Sequence, residues 1–211
     1  MSFKNKFKMT SIALASAVAM GSIAMPMTAS AEVGYNAAVS TMYLWRGLDV
    51  SQGPTISGGI DYSHASGVYA NVWVSSGMTG DPALGGGYET DFDIGYAGEV
   101  SGFGYDISAW SIQYPQAKAK ATEYALGLSY ADFSLGYVSG ENKYTYTTLG
   151  YSYDKYSIKY GMSDADGAKY SHIDLGYAAT DKLSFTLSKA TDDTAGVAEE
   201  MLLVASYSLP I

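Results

Sequence analysis

Tyr124-Ala-Leu-Gly-Leu-Ser-Tyr130, then Ala131-Asp132, then Phe133-Ser-Leu-Gly-Tyr137 is the stretch whose reading decides the fold. Taken every second residue, Tyr124, Leu126, Leu128 and Tyr130 form one set, and Ala125, Gly127 and Ser129 the other. The alternation resumes with Phe133, Leu135 and Tyr137 against Ser134 and Gly136. A period of two marks β-strands, and two residues between matching runs mark a tight hairpin with Tyr130 opposite Phe133. One face is aromatic and aliphatic. The other is too small and polar to fill a core by itself. The expectation is therefore that the small face meets water inside a pore and the aromatic face meets lipid.

The unit recurs along the chain. Leu126-Gly-Leu-Ser-Tyr130 is echoed by Leu149-Gly-Tyr-Ser-Tyr153 and Leu175-Gly-Tyr-Ala-Ala179, as a β-meander requires. The pattern predicts twelve strands, about 33–46, 55–63, 68–75, 88–100, 103–114, 121–130, 133–139, 143–153, 156–162, 169–179, 183–190 and 199–211. Tight connections (64–67, 101–102, 131–132, 154–155, 180–182) alternate with mostly longer ones (47–54, 76–87, 115–120, 140–142, 163–168, 191–198). Tyr62, Tyr96, Tyr105, Tyr130, Phe133, Tyr153, Tyr156 and Tyr177 gather beside the tight turns, as in an interfacial girdle. A soluble sandwich gives no reason for that clustering. The expected fold is all-β: one antiparallel up-and-down transmembrane β-barrel of about 12 strands, with short periplasmic turns and longer extracellular loops.

The ends of the chain agree with an exported barrel. Lys4, Lys6 and Lys8 precede an apolar Ala-rich stretch, and Ala29-Ser30-Ala31 has the form of a cleavage site. Residues 1–31 are thus expected to be a cleaved signal peptide and 32–211 the barrel. Met201, Leu203, Ala205, Tyr207, Leu209 and Ile211 alternate to the last residue, the form of a C-terminal strand addressed to the barrel-assembly machinery. The 211 residues hold 24 glycines, 20 tyrosines and no cysteine, so disulfides do not hold the fold. The net charge is −9 and becomes more negative once the leader lysines are removed, which argues against a nucleic-acid partner.

One family resembles this chain. Tyr43-Leu-Trp-Arg46-Gly47, Ser51-Gln52, Gly58-Gly59-Ile-Asp61-Tyr62, Ser66-Gly67-Val-Tyr69 and Trp73 resemble the opening of the TorF family of porin-like Gram-negative proteins. Asp91-Phe-Asp-Ile-Gly95-Tyr96, Gly104-Tyr105-Asp106, Tyr114-Pro115 and Glu123-Tyr124 continue the likeness. Leu48-Asp49-Val50 separates Arg-Gly from Ser-Gln where one residue is expected. The resemblance implies an outer-membrane barrel with a porin-like role and no particular solute.

Strand parity supplies the candidate site. With Tyr88, Thr90, Phe92, Ile94 and Tyr96 outward, Glu89, Asp91 and Asp93 point inward; Asn36, Ser40, Arg46, Asp61, Asp106, Glu123, Lys159, His172 and Asp174 join them. The expected channel lining is Arg46, Glu89, Asp91, Asp93, Glu123, His172 and Asp174, an acidic set that concentrates cations and repels anions. Small hydrophilic solutes, cationic or neutral, are the expected cargo, and outer-membrane lipid the surrounding partner. The competing reading pairs these carboxylates with Arg46 and Lys159 in a nearly plugged barrel whose role is structural or adhesive, borne by loops 76–87 and 191–198. Arg46 reads either as a constriction residue or as a mouth salt bridge holding the first loop. Residues i, i+2 and i+4 of one strand spread over roughly 13 Å, too far for one cation, and no cofactor or metal is expected. An enzyme is not expected: His172 and Asp174 share a face and Ser152 is also inward, but no nucleophile elbow accompanies them.

Overall fold

The computed structural model describes residues 31–51, 53–77 and 87–211. The signal segment and most of loop 76–87 lie outside the described residues. The described elements are β1 (Glu32–Ser40), β2 (Leu44–Trp45), β3 (Leu48–Asp49), β4 (Thr55–Ser63), β5 (Val68–Ser76), β6 (Tyr88–Val100), β7 (Phe103–Tyr114), β8 (Ala119–Tyr130), β9 (Phe133–Gly140), β10 (Tyr144–Tyr153), β11 (Tyr156–Ala165), β12 (Ala168–Ala178), β13 (Leu183–Asp192) and β14 (Met201–Ser208). Twelve of them close a barrel in the order β1-β14-β13-β12-β11-β10-β9-β8-β7-β6-β5-β4, every neighbour antiparallel; β2 and β3 form a separate two-stranded ribbon.

Closure satisfies the strand edges that an open sheet leaves unpaired. The opening hairpin stands in the expected register, with Tyr130 opposite Phe133, Ser129 opposite Ser134 and Gly127 opposite Gly136. At Ser101-Gly102 both residues have positive φ (54° and 81°), the form that matches the twist of paired strands.

The outer surface is apolar. Large exposed hydrophobic residues come from every barrel strand except β13, among them Val33, Ile60, Ile94, Ile107, Leu135, Leu149, Ile173 and Leu203. A soluble monomer does not carry such a surface round its whole girth. Near the short turns the girdle rings stack in pairs: Tyr96 on Tyr105 at 6.1 Å and Tyr156 on Tyr177 at 5.3 Å between centroids.

Two expectations are corrected. The first strand does not run to residue 46. β1 ends at Ser40, opposite Thr55 of β4 and Ser206 of β14, and residues 41–51 turn into the barrel as the β2–β3 ribbon. β4 begins only at Thr55, opposite Ser40, so past that point β1 has no β4 partner and keeps only the Thr41 amide bond to the Ala205 carbonyl of β14 at 2.9 Å, whereas Arg46-Gly47, with φ of 50° and 85°, makes a tight turn of its own. The connection read as 163–168 is also no loop. β11 and β12 pair up to Ala165 opposite Ala168, joined only by Asp166-Gly167 with φ of 53° and 98°. Asp-Gly is among the strongest two-residue hairpin signals.

Candidate functional site

The β2–β3 ribbon is the feature that shapes the interior. Leu44 pairs with Asp49 and Trp45 with Leu48. Two pairs do not make a stable hairpin alone, so tertiary contacts hold this one. At its stem the Val50 amide donates to the Tyr43 carbonyl at 3.0 Å, and the Tyr43 amide donates to Ser51 Oγ at 2.8 Å. Tyr43 is buried, packs on Trp73 at 5.6 Å, and donates its hydroxyl to Glu89 Oε1 at 2.7 Å.

At the tip, Arg46 reaches the far wall. Nη1 donates to Glu123 Oε1 at 3.0 Å and Nη2 to Glu123 Oε2 at 2.5 Å, a two-pronged fork. Nη1 also donates to the Tyr144 hydroxyl, and the guanidinium carbon lies 4.6, 5.1 and 4.8 Å from the ring centres of Trp45, Tyr144 and Tyr146. Arg46 is 3% exposed and Glu123 6%. Burying two charges is costly unless geometry and further hydrogen bonds compensate; the fork, the tyrosine and the three rings do so here. Arg46 therefore bonds as the salt bridge expected to hold the first loop, but within the barrel rather than at the end of a strand. The stem leaves only about 20 Å³ against the wall, in a gap lined by Ser40, Tyr43, Thr55, Trp73, Val204 and Ser206 among others. On the other side, a cavity of about 410 Å³ opens over the tip, lined by Trp45, Arg46, Glu123, Tyr144, Ser163 and Tyr170 among others.

The acidic strand stands where parity placed it. Glu89 and Asp91 are buried and Asp93 is half-buried, all on the inner side of β6. Glu89 is capped by Tyr43, whereas the buried Oδ1 atoms of Asp91 and Asp93 have no hydrogen-bond partner among the described residues. Nearer the short turns, Asn36 Nδ2 donates to Asp61 Oδ2 and the Tyr69 hydroxyl to Asp106 Oδ2, both at 2.8 Å.

His172 is 1% exposed and belongs to a buried chain. Its Nε2 lies 2.8 Å from the Tyr146 hydroxyl and its Nδ1 2.9 Å from Asp174 Oδ1. Asp174 also accepts from Ser188 Oγ at 2.6 Å and pairs with Lys159 at 3.0 Å. Gly47 at the ribbon tip lies against the His172 ring. The Ser152, His172, Asp174 arrangement is not assembled. Thr148 and His172 flank Gly161 in register, while Ser152 lies nearer the short turns, opposite Ser157.

The structure thus joins Arg46 to Glu123 and His172 to Asp174, and leaves one carboxylate oxygen each of Asp91 and Asp93 without a partner among the described residues. Tyr43, Trp45, Tyr144 and Tyr146 were absent from the expected lining. Parity alone puts Tyr144 and Tyr146 inward, beside Thr148 and Gly150, and that signal was available.

This geometry belongs to a closed twelve-stranded antiparallel barrel with an apolar exterior and a polar interior. The family profile Gcw_chp, described as bacterial protein of unknown function, matches residues 24–198, and the chain belongs to that family. No curated protein matches it. Among solved structures, it is similar to a KdgM porin in complex with disordered oligogalacturonate, at 13% identity and a TM-score of 0.50, over 85% of this chain and 99% of that one. At that identity the likeness is one of fold.

Proposed function

We propose that this protein is a porin-like channel of the bacterial outer membrane that passes small hydrophilic solutes, cationic or neutral. Residues 1–31 act as its cleaved signal peptide, the apolar belt sits in lipid, and the short turns face the periplasm. The C-terminal strand is the part addressed to the barrel-assembly machinery, and the finer TorF designation fits this reading. The observation that carries it is the inner wall of β6, where Glu89, Asp91 and Asp93 face the interior of a closed barrel and two of the three have an oxygen without a partner among the described residues. Carboxylates so placed attract cations and disfavour anions. Oligogalacturonate is a chain of carboxylated sugars, and this interior is unsuited to such a polyanion.

The inward ribbon supports a second reading, a barrel closed at its waist that serves a structural or adhesive role. Planar-bilayer recording of refolded protein separates the two. A conducting channel with a cation-selective reversal potential in a salt gradient is expected. Combined Glu89→Gln, Asp91→Asn and Asp93→Asn changes should move that potential toward zero. Absence of current above background overturns the channel, and an unmoved reversal potential overturns the assigned lining.

A further inference from the structure

The wall that receives Arg46 has the composition of a receptor. Glu123 on β8 presents both carboxylate oxygens to the guanidinium, and Tyr144 on β10 adds its hydroxyl. The rings of Tyr144 and Tyr146 flank the cation at 5.1 and 4.8 Å. All these groups belong to the barrel, not to the ribbon. A carboxylate offering two parallel acceptors beside aromatic faces matches a guanidinium in charge, planarity and donor spacing. Arg46 itself fills the site incompletely, since its buried Nε has no partner among the described residues. It is also the only arginine of the 211-residue chain. The cavity of about 410 Å³ reaches Glu123 and Tyr144 directly, so a solute has access to the same groups.

We infer that Glu123, Tyr144 and Tyr146 form a binding site for guanidinium-bearing solutes, occupied at rest by Arg46 as an internal ligand. A solute carrying that group competes with Arg46 and displaces the ribbon. It then faces Glu89, Asp91 and Asp93 along the passage. The inference rests on the channel reading and names its solute class.

The test uses the refolded full barrel carrying Arg46→Ala, with methylguanidinium at concentrations too low to denature and methylurea as the uncharged isostere. Methylguanidinium should block the Arg46→Ala current at a concentration at least about tenfold lower than methylurea, because it alone offers charge-assisted bonds. It should also raise the melting temperature of that variant. Both effects should vanish when Glu123→Gln is added. Equal action of the two compounds, or persistence of the effects without the Glu123 carboxylate, overturns the site. Where no variant conducts, the channel reading fails, while the melting shift of Arg46→Ala still reports on the site. Should Arg46→Ala not refold, hydrogen exchange of the Val50 amide in the unaltered protein decides. Methylguanidinium should speed it and methylurea should not, and unchanged exchange overturns the inference.

Discussion

Glu123→Gln removes the charge that holds the ribbon while leaving the shape of the site nearly intact. Both members of the pair are buried, with side-chain exposures of 2% and 8%. Removing one partner of such a pair costs about 3–5 kcal/mol, because the other charge is left uncompensated. The barrel need not bear that cost, since the ribbon can carry Arg46 out to water. The loss then appears as a shift in the balance between seated and released ribbon. Taking about 3 kcal/mol, the released fraction rises about 10²-fold. The sole arginine supplies a direct assay, because an arginine-specific protease cuts the chain only after Arg46. When opening is fast relative to cleavage, the cutting rate follows the released population, so Glu123→Gln should be cut about 10²-fold faster than the unaltered protein. The products should be two fragments only, one ending at Arg46 and one beginning at Gly47. Rates agreeing within a factor of about three would refute the argument, since they would mean that the fork does not hold the ribbon.

Two further outcomes follow from the wall itself. In Gly161→Ala the new methyl would meet the His172 imidazole, with Cδ2 at 2.7 Å and the Tyr146 hydroxyl also at 2.7 Å. Overpacking of this kind costs about 1–3 kcal/mol, and a denaturant midpoint equal to that of the unaltered barrel would contradict the packing described. Leu149 is exposed on the outer face midway along β10, between Leu135 and Tyr160. Leu149→Arg should cost about 2–4 kcal/mol when the protein is refolded in a bilayer, whereas Ser152→Arg on the exposed inner side should cost far less. Equal losses would refute the assignment of the two faces, and a larger loss for Ser152→Arg would show it reversed.

The wall of the barrel was legible because its signals are local. β6 and β7 begin and end where alternation and Ser101-Gly102 place them, at Tyr88–Val100 and Phe103–Tyr114. Facing followed from parity, so Glu89, Asp91, Asp93, Glu123, His172 and Asp174 all point inward. Partners did not follow, because they depend on distant segments: Arg46 and Glu123 are 77 residues apart. The inward turn of residues 41–51 is hidden in the sequence because Tyr43 and Trp45 continue the alternation of Tyr35 and Val39. The β4 side of β1 ends at Ser40 because β4 begins only at Thr55, a property of another segment. The Asp166-Gly167 turn is a local signal, masked by the polar residues on either side of it, which read equally as a loop.

The seam between β1 and β14 joins the two ends of the chain with only three registered pairs, Ala38 to Ser208, Val39 to Tyr207 and Ser40 to Ser206, against nine between β1 and β4. The Ser40 and Ser206 hydroxyls that meet there at 2.8 Å lie 166 residues apart. Hairpins such as β10–β11 close over two residues and form within microseconds; a contact this remote carries the largest loop-closure entropy in the molecule. The seam is therefore the last part of the ring to shut and the first to part under load. Until it shuts, β1 and β14 present rows of amide and carbonyl groups that hydrocarbon cannot satisfy. In a bilayer, insertion and zippering would therefore have to proceed together, ending at a seam of three registered pairs that the Thr41 to Ala205 and Leu209 to Ala37 backbone bonds, both 2.9 Å, extend at its ends.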